Sequence, residues 1–173
     1  MSRNSLITLV VLVFGFLSSP GRTETAPVVA LRQLEVEQQV TLAGALDLQA
    51  LGALAGTRAV VIDLTQTGEF AETEAARVTG LGLGYHKVPV DGVKLERDQL
   101  RQIAAILATN DDRPVIMHCA SGNRAAMVWA AVQLDSGANL DAVLERVDAL
   151  VTHAAIADAI RAYAVSVPGP AAN

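Results

Sequence analysis

The sequence predicts an α/β fold: a central, mostly parallel sheet flanked by helices. Three observations carry that expectation. Short continuous apolar runs bounded by polar residues, AVVIDL at 59–64 and VIM at 115–117, read as strands buried on both faces. Stretches with helical apolar spacing lie between and after them, at 95–109 and 125–134, so strand and helix alternate along the chain. The apolar content is 51% of 173 residues but only 3% is aromatic, so the core has to be aliphatic, which suits stacked layers of helix and sheet.

Taken in order, residues 1–21 read as an export signal. Arg3 is the positive flank, LITLVVLVFGFL at 6–17 is an uncharged apolar run, and Ser18 to Gly21 form a small-residue region suited to cleavage. The run is shorter than the ~20 residues a membrane-spanning helix needs. The mature chain is therefore expected to be periplasmic or secreted, with membrane attachment only through an uncleaved signal. Residues 22–35 read as a linker and 36–165 as the folded domain, with 166–173 as a disordered tail. Within 28–44, one or two short strands are expected, with Val36, Val40 and Leu42 pointing inward. Asp47 is placed to cap a short helix over 48–54 that Gly56 ends. A helix over 72–78 follows the strand at 59–64, then a strand over 85–90 with Pro89 near its end. Asp91-Gly92 is a turn pair. Helices over 139–150, capped by Asn139 or Asp141, and over 153–163 complete the chain.

Charge and cysteine usage narrow the function. A formal net charge of −5 gives a nucleic acid no electrostatic reason to bind. A single cysteine excludes an intramolecular disulfide and a cysteine-rich metal cluster, and no spacing among the histidines and carboxylates suggests a metal site. No cofactor is implied.

The chemistry gathers in PVIMHCASGNR at 114–124. A buried strand ends at His118 and the lone Cys119; Ala120, Ser121, Gly122 and Asn123 form a tight loop, and Arg124 opens a helix. Loop amides and a helix N-terminus attract an anion and favour the thiolate form of a nearby cysteine. Cys119 is thus the candidate nucleophile, although a lone cysteine can equally be a small buried hydrophobe. The fork of Arg124 suits two oxygens of an oxyanion; its bland alternative is a first-turn arginine paired with a surface carboxylate. That alternative leaves a cation facing the positive end of the helix dipole, a local cost that a bound anion offsets. Gly122 permits the backbone twist that makes loop amides converge, and Ser121 and Asn123 add amides or side-chain donors unless they face water. His118 either supports the thiolate or is a satisfied strand histidine. Asp63, at the end of a strand, is expected to cap the following loop, and His86, His153 and Trp129 to be packing or surface residues.

Two known families use a strand, a cysteine, a loop, an arginine and a helix in this order. Cysteine-dependent phosphatases carry His-Cys, five residues, then Arg; rhodanese-type sulfurtransferases often carry Cys, four residues, then Arg. Four residues separate Cys119 from Arg124, so the loop length resembles a rhodanese loop. The upstream order, AVVIDLTQTGEF, a helix, then LGYHKVPVDG, resembles dual-specificity phosphatases. Both features meet in the phosphatase-like domain of the beta-lactamase-hydrolase-like proteins. This chain resembles that family over roughly 36–150, most specifically in VIDL at 61–64, YHKVPVDG at 85–92 and HCASGNR at 118–124.

The resemblance implies a cysteine-phosphatase-like fold and a hydrolase working through a phosphocysteine. It implies Cys119 as nucleophile, Arg124 with the loop 120–123 as oxyanion site, His118 as the residue ordering that loop, and Asp91 as general acid. Phosphorylated compounds or small oxyanions are the expected substrates. Ala125 departs from the many relatives with a hydroxyl residue there, where it assists departure of the thiolate; slow turnover, or a reaction without hydrolysis, follows. Some such domains are joined to sulfide-handling proteins, so the alternatives are a sulfurtransferase that takes sulfur from a donor as a Cys119 persulfide, and a non-catalytic anion- or partner-binding module.

Overall fold

The computed structural model describes residues 27–68 and 73–167. The export signal read at 1–21, most of the tail and part of the loop after AVVIDL lie outside the described residues. The elements in order are β1 (Gln33–Glu37), β2 (Val40–Ala43), a 3-10 helix (Ala50–Leu54), β3 (Val60–Asp63), α1 (Thr73–Gly80) and β4 (Gly84–Lys87). Then come α2 (Arg97–Ala108), β5 (Val115–His118), α3 (Asn123–Asp135), α4 (Leu140–Val147) and α5 (Ala154–Ser166). The strands form one sheet in the order β1-β2-β5-β3-β4. Only β1 runs antiparallel to its neighbour; β2, β5, β3 and β4 are mutually parallel.

Strand alternation sorts the core into two layers. Val40 and Leu42 of β2, Val60 and Ile62 of β3, and Val115 and Met117 of β5 face one side, against helices α2 to α5. Ala43, Val61 and Ile116 face the other, against the 3-10 helix and α1 through Leu51, Leu54 and Val78. Helix α3 is buried nearly all round, with Met127, Val128 and Ala130 fully covered, because α2, α4 and α5 all pack on it. Its apolar sequence needs that setting.

Local chemistry explains the boundaries. Asp47 Oδ1 accepts hydrogen bonds from Gln49 N (2.8 Å) and Ala50 N (3.2 Å), opening the 3-10 helix as the sequence suggested. Asn139 caps α4 by accepting from Ala142 N at 3.1 Å. The strand expected over 85–90 is observed over Gly84–Lys87, ending ahead of Pro89. Its pairing with β3 nevertheless continues through Val88 N to Asp63 O (2.9 Å) and Val90 N to Leu64 O (3.1 Å). The expected linker is in part folded: β1 begins at Gln33, and Val29 and Ala30 are buried against Leu51 and Leu54. Burial of Val29 and Ala30, in the 28–44 stretch where strands were expected, sets that boundary. Helix α5 likewise runs to Ser166, the first residue of the expected tail. Among the described residues no helix is long and apolar enough to cross a membrane.

Candidate active site

Every candidate residue hangs from the carboxyl ends of the parallel strands β3, β4 and β5, where open α/β sheets place their ligands. Strand β5 lies between β2 and β3 and is buried throughout, so its end is fixed from both sides: Cys119 N donates to Ala43 O (3.2 Å) and Leu64 N to His118 O (2.9 Å). The loop that follows is tied down from outside. Ala45 N donates to Ala120 O (3.1 Å) and Arg32 Nη1 to Ser121 O (3.2 Å), while Arg32 Nη2 reaches Leu150 O (2.8 Å). These bonds occupy the loop's carbonyls from its periphery.

Gly122 makes the turn into α3. Its φ of 90° is left-handed, and a Cβ there would stand 2.8 Å from the Leu150 side chain, so glycine is required on both counts. Gly122 N donates to Cys119 Sγ at 3.2 Å, directing an amide at the sulfur. The helical ladder starts with Ala126 N to Gly122 O (2.9 Å), so the first-turn amides lie ahead of it. The side chain of Asn123, expected as a loop donor unless it faced water, is buried and ties the loop to Thr152. It donates to Ser121 Oγ (3.1 Å) and Thr152 Oγ1 (2.9 Å) and accepts from Thr152 N (2.9 Å). Cys119 is fully buried; Ala120 and Ser121 are exposed.

Arg124, half-buried, reaches across the strand ends. Its Nη1 donates to Leu64 O (3.3 Å) after β3 and to Val90 O (3.1 Å) after β4. Asp91 is next to that second carbonyl, but its carboxylate is 70% exposed and lies 3.4 Å from Lys94 Nζ. The structure thus gathers His118, Cys119, Gly122, Asn123 and Arg124 at one strand end, and among the described residues Asp91 is joined to them through the backbone of Val90.

Behind the cysteine lies a polar cluster that motif reading did not find. His118 and Asp63 point to the α1 face of the sheet, opposite to Met117 and Cys119, as alternation requires. His118 Nε2 is 3.0 Å from Glu74 Oε1 of α1 and 3.6 Å from Asp63 Oδ1. The 3.0 Å approach is not aligned as a hydrogen bond, so it is an electrostatic contact. Asp63 caps its loop as expected, accepting from Thr65 N at 2.8 Å. It also accepts from Tyr85 OH (2.6 Å) and Lys87 Nζ (2.7 Å), and Lys87 further reaches Thr65 Oγ1 (2.5 Å). Burial pushes the Asp63 carboxyl up, but the bonds from Lys87, Tyr85 and Thr65 outweigh it and hold the group below its ordinary value. Tyr85 is pushed well above its ordinary range by burial and by Asp63, so it stays a donor. Ligand-type atoms of Asp63, Glu74 and His118 lie within 4.8 Å of one another, yet the cation already seated on Asp63 is Lys87, and the group reads as an internal ion network. Glu74 could not be picked out beforehand, because a glutamate in the first turn of a helix ordinarily looks like a dipole partner facing water.

The architecture is that of the tyrosine and dual-specificity phosphatases. Solved structures with this fold include a DUF442 protein described as a phosphatase candidate from Shewanella putrefaciens CN-32, 20% identical, with a TM-score of 0.65 over 86% of this chain and 95% of that one. A phosphatase candidate from Neisseria meningitidis Z2491 is 16% identical, with a TM-score of 0.62 over 75% of this chain and 96% of its own. The catalytic domain of the PP-IP phosphatase SIW14 from S. cerevisiae is 13% identical, with a TM-score of 0.62 over 78% and 86%. No curated protein sequence matches significantly. The sequence profile of the beta-lactamase hydrolase-like protein, phosphatase-like domain, matches residues 29–136, and the chain belongs to that family. The match begins at Val29, where the buried core begins.

Proposed function

We propose that this protein is a cysteine-dependent phosphatase-like hydrolase of phosphate monoesters. One observation carries the reading: Cys119 Sγ sits 3.2 Å from the Gly122 amide at the start of α3, with Arg124 in the first turn of the same helix. In the first step the Cys119 thiolate attacks phosphorus, the bond from phosphorus to the ester oxygen breaks, and Asp91 gives its proton to the departing oxygen. Arg124 and the loop amides hold the non-bridging oxygens as charge develops on them. In the second step water attacks the phosphocysteine, the sulfur–phosphorus bond breaks, and phosphate leaves with the thiolate restored. Purified protein should release phosphate from an aryl phosphate, and Cys119→Ser should abolish that release. Equal activity in the serine variant overturns the mechanism.

A second reading rests on the four-residue loop and on Ala125, which is fully buried and has no hydroxyl to help a thiolate depart. In it the Cys119 thiolate attacks the outer sulfur of thiosulfate, the sulfur–sulfur bond breaks, sulfite leaves, and Cys119 remains as a persulfide. No general acid is needed. Intact mass after exposure to thiosulfate separates the two readings: a gain of one sulfur, absent in Cys119→Ser, selects transfer.

A further inference from the structure

The buried cluster behind Cys119 has an unequal charge count. Two carboxylates, Asp63 and Glu74, face one ammonium, Lys87, and the remaining partner is the imidazole of His118. Among the described residues, a positive charge on the imidazole would bring these formal charges into balance, which burial favours. Among the described residues the groups facing this imidazole are Asp63 from β3, Glu74 from α1, and Tyr85 and Lys87 from β4 through their contacts with Asp63. His118 is itself the residue before the proposed nucleophile.

We propose that Glu74 is a positioning residue for the chemistry of Cys119: from α1 it holds His118 and keeps a positive charge behind the thiolate. This rests on the reading of Cys119 as nucleophile and adds a residue that no sequence motif marks. Glu74 touches neither sulfur nor substrate, and its own negative charge opposes a thiolate. The two roles therefore predict opposite signs. Acting only as a nearby negative charge, its removal makes the thiolate easier to form. Acting through His118, its removal makes the thiolate harder to form.

Because the chain has one cysteine, its thiolate can be titrated by ultraviolet absorbance against Cys119→Ser as the blank, without any reagent entering the buried site. Glu74→Gln preserves shape and removes the charge. Its thiol midpoint should rise by about one pH unit, a tenfold loss of thiolate below the midpoint. His118→Gln should shift it similarly, and the double variant no further, since the two act as one unit. An unchanged or lowered midpoint in Glu74→Gln, or additive shifts in the cycle, overturns the proposal. Near-ultraviolet circular dichroism of the buried Trp129 checks that each variant is folded. Should Glu74→Gln not fold, ring-nitrogen NMR of His118 in the parent decides: a neutral imidazole at a pH where Cys119 is already thiolate overturns the proposal. A parent thiol with an ordinary midpoint would remove the nucleophile reading as well, whereas a low parent midpoint untouched by Glu74→Gln removes this inference alone.

Discussion

Arg124 shows how much one side chain is asked to do. Its Nη1 already serves Leu64 O and Val90 O, so the guanidinium is held in place before any ligand arrives, and the fork is oriented by the protein. A lysine at this position has neither the planar fork nor the second nitrogen needed to bridge carbonyls and an oxyanion at once. Arg124→Lys should therefore lower phosphate release by about 100-fold or more, comparable to losing one oxyanion donor, measured as kcat/KM on an aryl phosphate. A variant within about threefold of the parent would place the oxyanion elsewhere. At this scale the sequence was most legible where the chemistry is local. Cys119, Gly122 and Arg124 lie within one turn of chain, and strand-to-helix logic is enough to bring them together. Glu74 and Lys87 were not legible, because each reaches His118 or Asp63 only after α1 and β4 have packed beside β5 and β3. Asn123 was read as a loop donor because nothing in the motif announces that Thr152 lies beside it.

Among the elements, α3 and its entry turn bear most of the constraint. Gly122 combines a left-handed backbone with a side-chain position already occupied by Leu150. Gly122→Ala should cost about 1–3 kcal/mol for the backbone conformation alone, with more from the clash, and should lower both the melting temperature and activity. Gly122→Ala with Leu150→Ala should fail to restore either in full, since relieving the clash leaves φ unchanged. Full recovery in the double variant would show that the turn is not strained. Strands β3 and β5 were legible as continuous apolar runs, and α2 and α3 as periodic ones, with ends shifted by a residue or two. The start of the domain was not legible. Val29 and Ala30 look like linker residues until the 3-10 helix supplies Leu51 and Leu54 to cover them.

For the molecule as a whole, the buried ion network couples stability to pH. Asp63 is held below its ordinary value of 3.8, so its pairing stabilises the fold fully above the unfolded value. That contribution is lost as pH falls through the folded value, which places it in the acid range below about pH 4. Lys87→Met removes the cation and leaves Asp63 buried. The variant should lose about 2–3 kcal/mol at neutral pH, less than a fully enclosed pair would because the Lys87 side chain is 35% exposed. Its acid-unfolding midpoint should move upward, as followed by circular dichroism across pH; a midpoint unchanged from the parent would show that Tyr85 and Thr65 suffice.

The sheet order carries a consequence for biosynthesis. Strand β5 is inserted between β2 and β3, so Val40 and Val60 both meet Val115, and neither early strand has its second neighbour until the polypeptide has been made that far. A nascent chain stalled short of β5 would expose two unfilled strand edges, the kind of surface on which self-association begins. The sulfur itself emerges one residue after the strand that completes the sheet. Closure of the sheet and concealment of the thiol should then be a single late event, and the interval before it is when a passing oxidant has its clearest opportunity.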